Sequence, residues 1–306
     1  MRPLPPKLAE IAREALNETP ERIKQDLIIL RTWIYQQRYL NARTSTDFLI
    51  SQLRRCKYSL EETKKRIDDF FIFITKCPEI TAKRRVSEKI LAVNRMGLQY
   101  FPECPSFNDQ SAIMITRFGG CCAKSYHIRD ILAYNTMAME LIALENDNAA
   151  VVGVSEILDL SNMNIEHTSQ LSADGFRFWC HWVNNCSPLR TNAVYCLNPP
   201  KELLNLLAVY KRLCLRKEMF PPWIVVRSLE ELYQYIPQDC LPEEYGGKNG
   251  HIRECIEYMD ELLKSYRNYF DDEKNYGTIE ELRHGDGRPY ETEFGADGSF
   301  RKLFID

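Results

Sequence analysis

Apolar residues recur along the first quarter of the chain at helical spacing. Ile23, Leu27, Leu30 and Ile34 stand at i, i+4, i+7 and i+11, after Thr19 as an N-cap and Pro20 in the first turn, which predicts a helix with one buried stripe. A short helix is expected near Asp47 to Arg55. Ser59 and Glu62 have capping-box spacing ahead of Ile67, Phe70, Phe71 and Ile74, and Cys77-Pro78 stops that third helix. Three or four such helices make a small bundle.

From about residue 111 the pattern changes to short apolar runs, Ala112 to Ile115, Val151 to Leu158, Thr191 to Leu197 and Trp223 to Val226. Several are apolar on consecutive positions, so both faces of those strands should be covered, as in a parallel or mixed sheet flanked by helices. Crossover helices are expected over His127 to Glu145, Thr168 to Asn185 and Lys201 to Lys217, and Ser228-x-x-Glu231 is a further capping box. The alternation predicts an α/β domain. Leu241-Pro-Glu-Glu-Tyr-Gly-Gly247 reads as an extended segment ending in a glycine turn, and Gly250 to Phe270 as a last amphipathic helix. The stretch 271–306, with ten acids and five bases, is expected over the surface or partly mobile.

Composition narrows the class. The chain has 306 residues, 44% hydrophobic and 27% charged, with a net charge of −3, so it is globular and has no global field for gripping nucleic acid. No apolar run reaches the roughly 18 residues that span a bilayer. Met1 to Lys7 carries Pro3, Pro5 and Pro6, so a secretory leader is not expected and a cytoplasmic protein is. The eleven cysteines include no C-x-x-C pair and often lie in apolar runs, which argues against a disulfide framework or a zinc site. Lys83, Arg84, Arg85, Lys89 and Arg95 cluster between the two halves, as a solvated linker or, less simply, an anionic-lipid contact.

Catalytic machinery is scarce. There is no G-x-G-x-x-G after a strand, no Walker loop, no H-E-x-x-H and no G-x-S-x-G. His181 with Cys180 and Cys186 is the nearest approach to a metal set, yet those positions face different directions on a helix. Asp159, at a strand end, suits a catalytic carboxylate or, more commonly, a loop-fixing acceptor. Asn135 interrupts the apolar stripe of Ile128, Ile131, Leu132, Met139 and Ile142, and left unpaired it would cost about 1–3 kcal/mol, so it needs a backbone partner or a polar ligand group. The helix after Asn198-Pro199-Pro200 has Leu203, Leu206, Leu207, Tyr210 and Leu213 on one side and Lys211, Arg212, Arg216 and Lys217 near its end, which fits an ordinary surface helix or a movable lid touching a membrane.

Taken in order, these segments resemble the CRAL-TRIO lipid-transfer family, in particular its tocopherol- and retinaldehyde-binding branch. Gly153-Val-Ser-Glu-Ile-Leu-Asp-Leu160 is similar to the family's strand ending in Asp-Leu, Ser187-Pro-Leu-Arg190 to its Pro-Leu-Lys turn, and Leu197-Asn-Pro199 to the entry of its gate helix. Leu241 to Gly247 resembles its most specific signature, and Gly298-Ser-Phe-Arg-Lys-Leu303 the tails of insect members. The resemblance implies an all-helical N-terminal domain over 1–90, a lipid-binding domain over 91–250 with a mostly parallel sheet and a mobile gate helix, and a C-terminal helix with an acidic tail over 251–306.

By position, the family's pocket wall falls on Leu132, Asn135, Met139, Val154, Leu158, Met163, Ile165, Leu171, Trp179, Trp182, Val183, Leu189 and Val194, with Leu203, Leu206, Leu207 and Tyr210 from the gate. The family's phosphoinositide cluster falls on Arg190, Asn192, Lys217 and Pro221, so two of the four charges are kept, with Lys211, Arg212 and Arg216 as nearby substitutes. The function implied is that of a non-enzymatic carrier, a monomer without metal or cofactor and peripheral to membranes. It would hold one tocopherol, retinoid, carotenoid or similar lipid. A phosphoinositide-responsive adaptor, and an enzyme using Asp159, are the other readings.

Overall fold

The computed structural model describes residues 3–102, 111–120, 122–164, 166–167, 173–201, 203–204 and 221–283. Prolines set the first two helix starts. Helix α1 spans Pro6–Leu16, and α2 spans Pro20–Gln36, capped by Thr19 Oγ1, which accepts the Arg22 amide hydrogen at 3.2 Å. A two-residue strand β1 (Leu40–Asn41) leads to α3 (Thr46–Arg55) and α4 (Leu60–Lys76). The Ser59 capping box does not form: the Ser59 side chain caps no amide, and its carbonyl accepts from Thr63 Oγ1 at 2.7 Å. One turn, α5 (Pro78–Thr81), precedes α6 (Glu88–Arg95), capped by Ser87.

Four of the five residues of the basic cluster are paired within the fold, and Arg85 is exposed. Lys83 and Lys89 both reach the Asp130 carboxylate at 2.8 Å, Arg95 pairs with Asp260 at 2.9 Å, and Arg84 is fully buried. The folding partners lie far away in sequence, so local charge counting misses them.

The sheet has the order β2-β3-β4-β5-β6. Strand β2 (Gln99–Tyr100) is antiparallel to β3 (Ala112–Arg117), which is followed by α7 (Ile128–Glu145) and α8 (Asp147–Val152). Strands β4 (Val154–Asp159), β5 (Thr191–Leu197) and β6 (Trp223–Val226) continue the sheet in parallel. The run from Val151 is therefore half helix: Gly153, at φ +100°, ends α8 and turns the chain into β4. Helix α9 (Ala173–His181) runs on into a π-helical turn, Trp182–Cys186, and most of the expected lid helix, 201–217, lies outside the described residues.

Both faces of the sheet are covered, as the consecutive apolar runs require. Ile113, Ile115, Ile157, Tyr195 and Val226 pack beneath α10 (Leu229–Leu232), Tyr245 and the start of α11 (Ile252–Ser265). Ala112, Met114 and Val154 join the opposite core, which is continuous from Ala12 through the N-terminal helices and α7 to Phe270 in α12 (Arg267–Asp271). The tail is not wholly peripheral. Strand β7 (Gly277–Thr278) pairs antiparallel with β1, and the Arg283 guanidinium holds Asp68 at 2.8 and 2.9 Å while lying 3.7 Å over the Tyr39 ring. Residues 284–306 lie outside the described set.

The glycine turn after β6 is a tight backbone crossing. A Cβ on Gly247 would stand 1.8 Å from the Leu241 carbonyl oxygen and 2.6 Å from that of Gln238. Gly247→Ala is therefore expected to destabilise by the upper end of about 1–3 kcal/mol, the range for overpacking a site that cannot give, read as a lower urea midpoint.

Candidate ligand-binding site

Four residues on adjacent strands share one rung of the sheet. Met114 on β3 is opposite Glu156 on β4, Glu156 opposite Val194 on β5, and Val194 opposite Trp223 on β6. Side chains alternate along a strand, so this row points to one face. With Met139 of α7, Trp179 and Cys180 of α9 and Val183 of the π turn, and with Thr191 and Pro221 completing the wall, the row bounds a cavity of about 30 Å³. Between these described residues that is room for about two waters, less than a C20 chain occupies. Beside it, Leu158, Leu160, Met163, Cys196 and Leu203 extend the apolar surface along the same face.

The sequence-derived pocket residues divide. Met139, Trp179, Val183 and Val194 line the cavity, and Leu158, Met163 and Leu203 form the adjoining apolar cluster. Leu132, Val154 and Leu189 belong to the main core. Asn135 is buried one helical turn before Met139, and its side-chain oxygen has no hydrogen-bond partner, which leaves its need for a polar contact unmet. Trp182 turns away from the cavity. It packs on Phe70 and Phe73 of α4, with ring centroids 5.8 and 5.2 Å apart, so it joins the two halves of the chain and is not a wall of the hollow. Ile165, Leu171, Leu206, Leu207 and Tyr210 lie outside the described residues.

Several lining residues were not singled out in the sequence, above all Glu156 and Trp223. Period-2 alternation from Val154 already places 154, 156 and 158 on one face, so a carboxylate inside that strand was the available signal. Glu156 is buried and accepts a hydrogen bond from Thr116 Oγ1 at 2.9 Å. Burial lifts its pKa to about 7, against the smaller opposing pull of that hydroxyl.

The polar candidates have structural duties. Asp159 Oδ1 accepts the Ser161 amide hydrogen at 2.9 Å and Oδ2 accepts from Tyr245 O–H at 2.6 Å, tying the end of β4 to the Leu241–Gly247 segment. The ring of His181 lies 10° from parallel with that of Phe73, and Nδ1 meets Asn185 Nδ2 at 3.0 Å. Burial pushes its pKa down to about 4, with Arg66 and Lys65 pushing the same way. Among the described residues no group of three or more His, Cys, Asp or Glu is placed to hold a metal ion, and no disulfide joins their cysteines.

Arg190 is half-buried, and its guanidinium donates to the backbone carbonyls of Arg54, Ala150 and Val151, so its hydrogen bonds are spent inside the fold. Asn192 likewise donates to the Val152 carbonyl at 3.0 Å. Lys211, Arg212, Arg216 and Lys217 lie outside the described residues. A buried arginine on α4, Arg66, supports the cavity from behind: it donates to the carbonyls of Asn184 and Ser187, both at 2.7 Å, and so holds the π turn that carries Val183.

Comparison with known proteins agrees with this architecture. The family model described as "CRAL/TRIO domain" matches residues 95–247, half of the chain, and "Pinta-like, UBA domain" matches 19–91. The chain is 23% identical to clavesin-1 of Xenopus laevis over 247 residues, which is 80% of this chain and 74% of that protein. It is 21% identical to the alpha-tocopherol transfer protein-like protein of Mus musculus over 242 residues, 79% of this chain and 70% of that one. The solved structure of Sfh5 superposes with a TM-score of 0.49 at 11% identity, over 83% of this chain and 92% of that chain. Among the described residues no helix is long and apolar enough to cross a membrane.

Proposed function

The chain belongs to the CRAL/TRIO family, whose members bind and transfer lipophilic ligands, and on that premise we propose that it is a non-enzymatic carrier of one hydrophobic molecule. The cargo is a tocopherol, retinoid, carotenoid or similar lipid, taken up between the sheet and helices α7 and α9 and passed between membranes from the cytoplasm. The observation that carries this reading is the cross-strand row with its adjoining apolar cluster, a sheet face lined by Met114, Val194, Trp223, Leu158 and Leu203 under Met139 and Trp179. Each buried CH₂ is worth about 0.8 kcal/mol, so a long chain needs no ionic anchor for tight capture. Widening of the small cavity on uptake is the step that controls exchange.

Asp159, the carboxylate an enzyme would use, is already bound by Ser161 and Tyr245, which favours a carrier. Arg190 is committed to backbone carbonyls, which supports a reading in which any phosphoinositide contact would rest on Lys211, Arg212, Arg216 and Lys217. The test is solvent extraction of purified protein, identification of the lipid by mass spectrometry, and vesicle-to-vesicle transfer of the same lipid. One lipid per chain and accelerated transfer are expected. A panel of retinoids, tocopherols, carotenoids and phospholipids that neither co-purifies nor transfers above a non-binding control protein would sink the carrier.

A further inference from the structure

We infer that Glu156 anchors the polar end of the cargo and that the cargo therefore carries a hydroxyl group. The inference rests on the carrier reading and narrows it to one class of lipid. Glu156 occupies the middle of the rung that bounds the cavity, between Met114 and Val194, and is the carboxylate among its lining residues. Among the described residues its one hydrogen bond is the 2.9 Å contact in which Thr116 donates to Oε1. A carboxyl group makes about four such contacts, so most of its capacity is unused in an apolar setting. Trp223, on the same rung, presents a second unmet polar group: its indole N–H is buried without a partner. Buried polar atoms of this kind are costly unless something pairs with them, and a bound ligand would.

The chemistry of the anchor selects the ligand. With its pKa lifted to about 7 by burial, Glu156 is present near neutral pH both as the acid and as the carboxylate. A hydroxyl serves either form, donating to the carboxylate or accepting from the acid. At Glu156 a carbonyl accepts from the acid alone, an ester offers no donor, and a lipid acid brings a second negative charge beside the first, while the Trp223 N–H can donate to the oxygen of any of these and does not discriminate among them. An alcohol is thus the head group that fits across the titration.

Matched probes test this: retinol, retinyl acetate and retinoic acid, together with α-tocopherol and its acetate, titrated by fluorescence at pH 6 and pH 8. In the wild-type protein each alcohol is expected to bind at least about tenfold more tightly than its acetate, the size of a hydrogen bond to a charged group. Glu156→Leu should abolish that preference and Glu156→Gln, which keeps an acceptor and a donor, should retain most of it. Retinoic acid should weaken from pH 6 to pH 8 while retinol holds. If both members of a pair bind the wild type equally, or the preference survives in Glu156→Leu, the anchor is overturned and the carrier stands. If none of the five probes binds while another lipid of the wider carrier panel co-purifies, the hydroxyl anchor is overturned and the carrier stands; if that whole panel fails as well, both readings fall.

Discussion

Arg84→Met is expected to cost about 3–5 kcal/mol of folding stability, the range for removing one partner from a buried ionic group. Arg84 is fully buried, with Nε and Nη2 each 2.8 Å from the Glu273 carboxylate and Nη2 also bonded to Glu140. The rings of Trp182, Phe70 and Phe270 lie 5.5, 5.9 and 5.6 Å from the guanidinium carbon. Methionine fills the same slot but leaves two buried carboxylates without their cation. Burial already raises the pKa of Glu273 with the arginine in place, so in the variant that acid will take up its proton at still higher pH and the deficit will shrink as the solution is acidified. Urea midpoints at pH 5 and pH 8 measure this. Replacing all three charges together, Arg84→Met with Glu140→Leu and Glu273→Leu, should recover most of the loss; a triple variant as unstable as the single one would refute the electrostatic account.

The second large effect is a pH dependence. Glu156 releases its proton near pH 4.5 in the unfolded chain and near pH 7 in the folded one. Between those values the folded state holds more protons, so stability falls as pH rises and the full penalty is in place above about pH 8. A shift of this size is worth about 3 kcal/mol. Glu156→Gln keeps the acceptor for Thr116 without a titrating proton. It should match the wild type near pH 4.5 and be more stable by about 3 kcal/mol at pH 8. Parallel stability curves for the two proteins across that interval would show that the carboxyl is hydrated in solution.

The elements were largely legible because their signals are local. Thr19-Pro20 starts a helix with its own atoms, and Ser228 caps Glu231 three residues away, its hydroxyl accepting the amide hydrogen at 3.2 Å. The strand runs Thr191–Leu197 and Trp223–Val226 have the bounds their apolar residues indicated, since a strand covered on both faces carries hydrophobic side chains at consecutive positions. Ser59 is a local exception: it has capping-box spacing, yet its side chain caps nothing. Elsewhere the differences arise where a distant partner decides. The tail looked superficial by charge, yet Glu273 is buried against Arg84 and Thr278 pairs with Leu40.

The candidate site shows the same division. Alternation within Val154–Asp159 and the helical spacing of Asn135 and Met139 are properties of one segment each, and they already turn those residues toward a common interior. Strand register is a property of two segments, and only the folded sheet aligns Met114, Glu156, Val194 and Trp223 in one row or turns Trp182 away to the N-terminal helices. Periodicity, capping and apolar content along the chain thus determined the helices, the strands and the mixed α/β class. Which charges are buried, where the carboxyl of Glu156 points and how little space lies above it were decided by tertiary packing, because pairing and desolvation depend on atoms that the linear order keeps far apart.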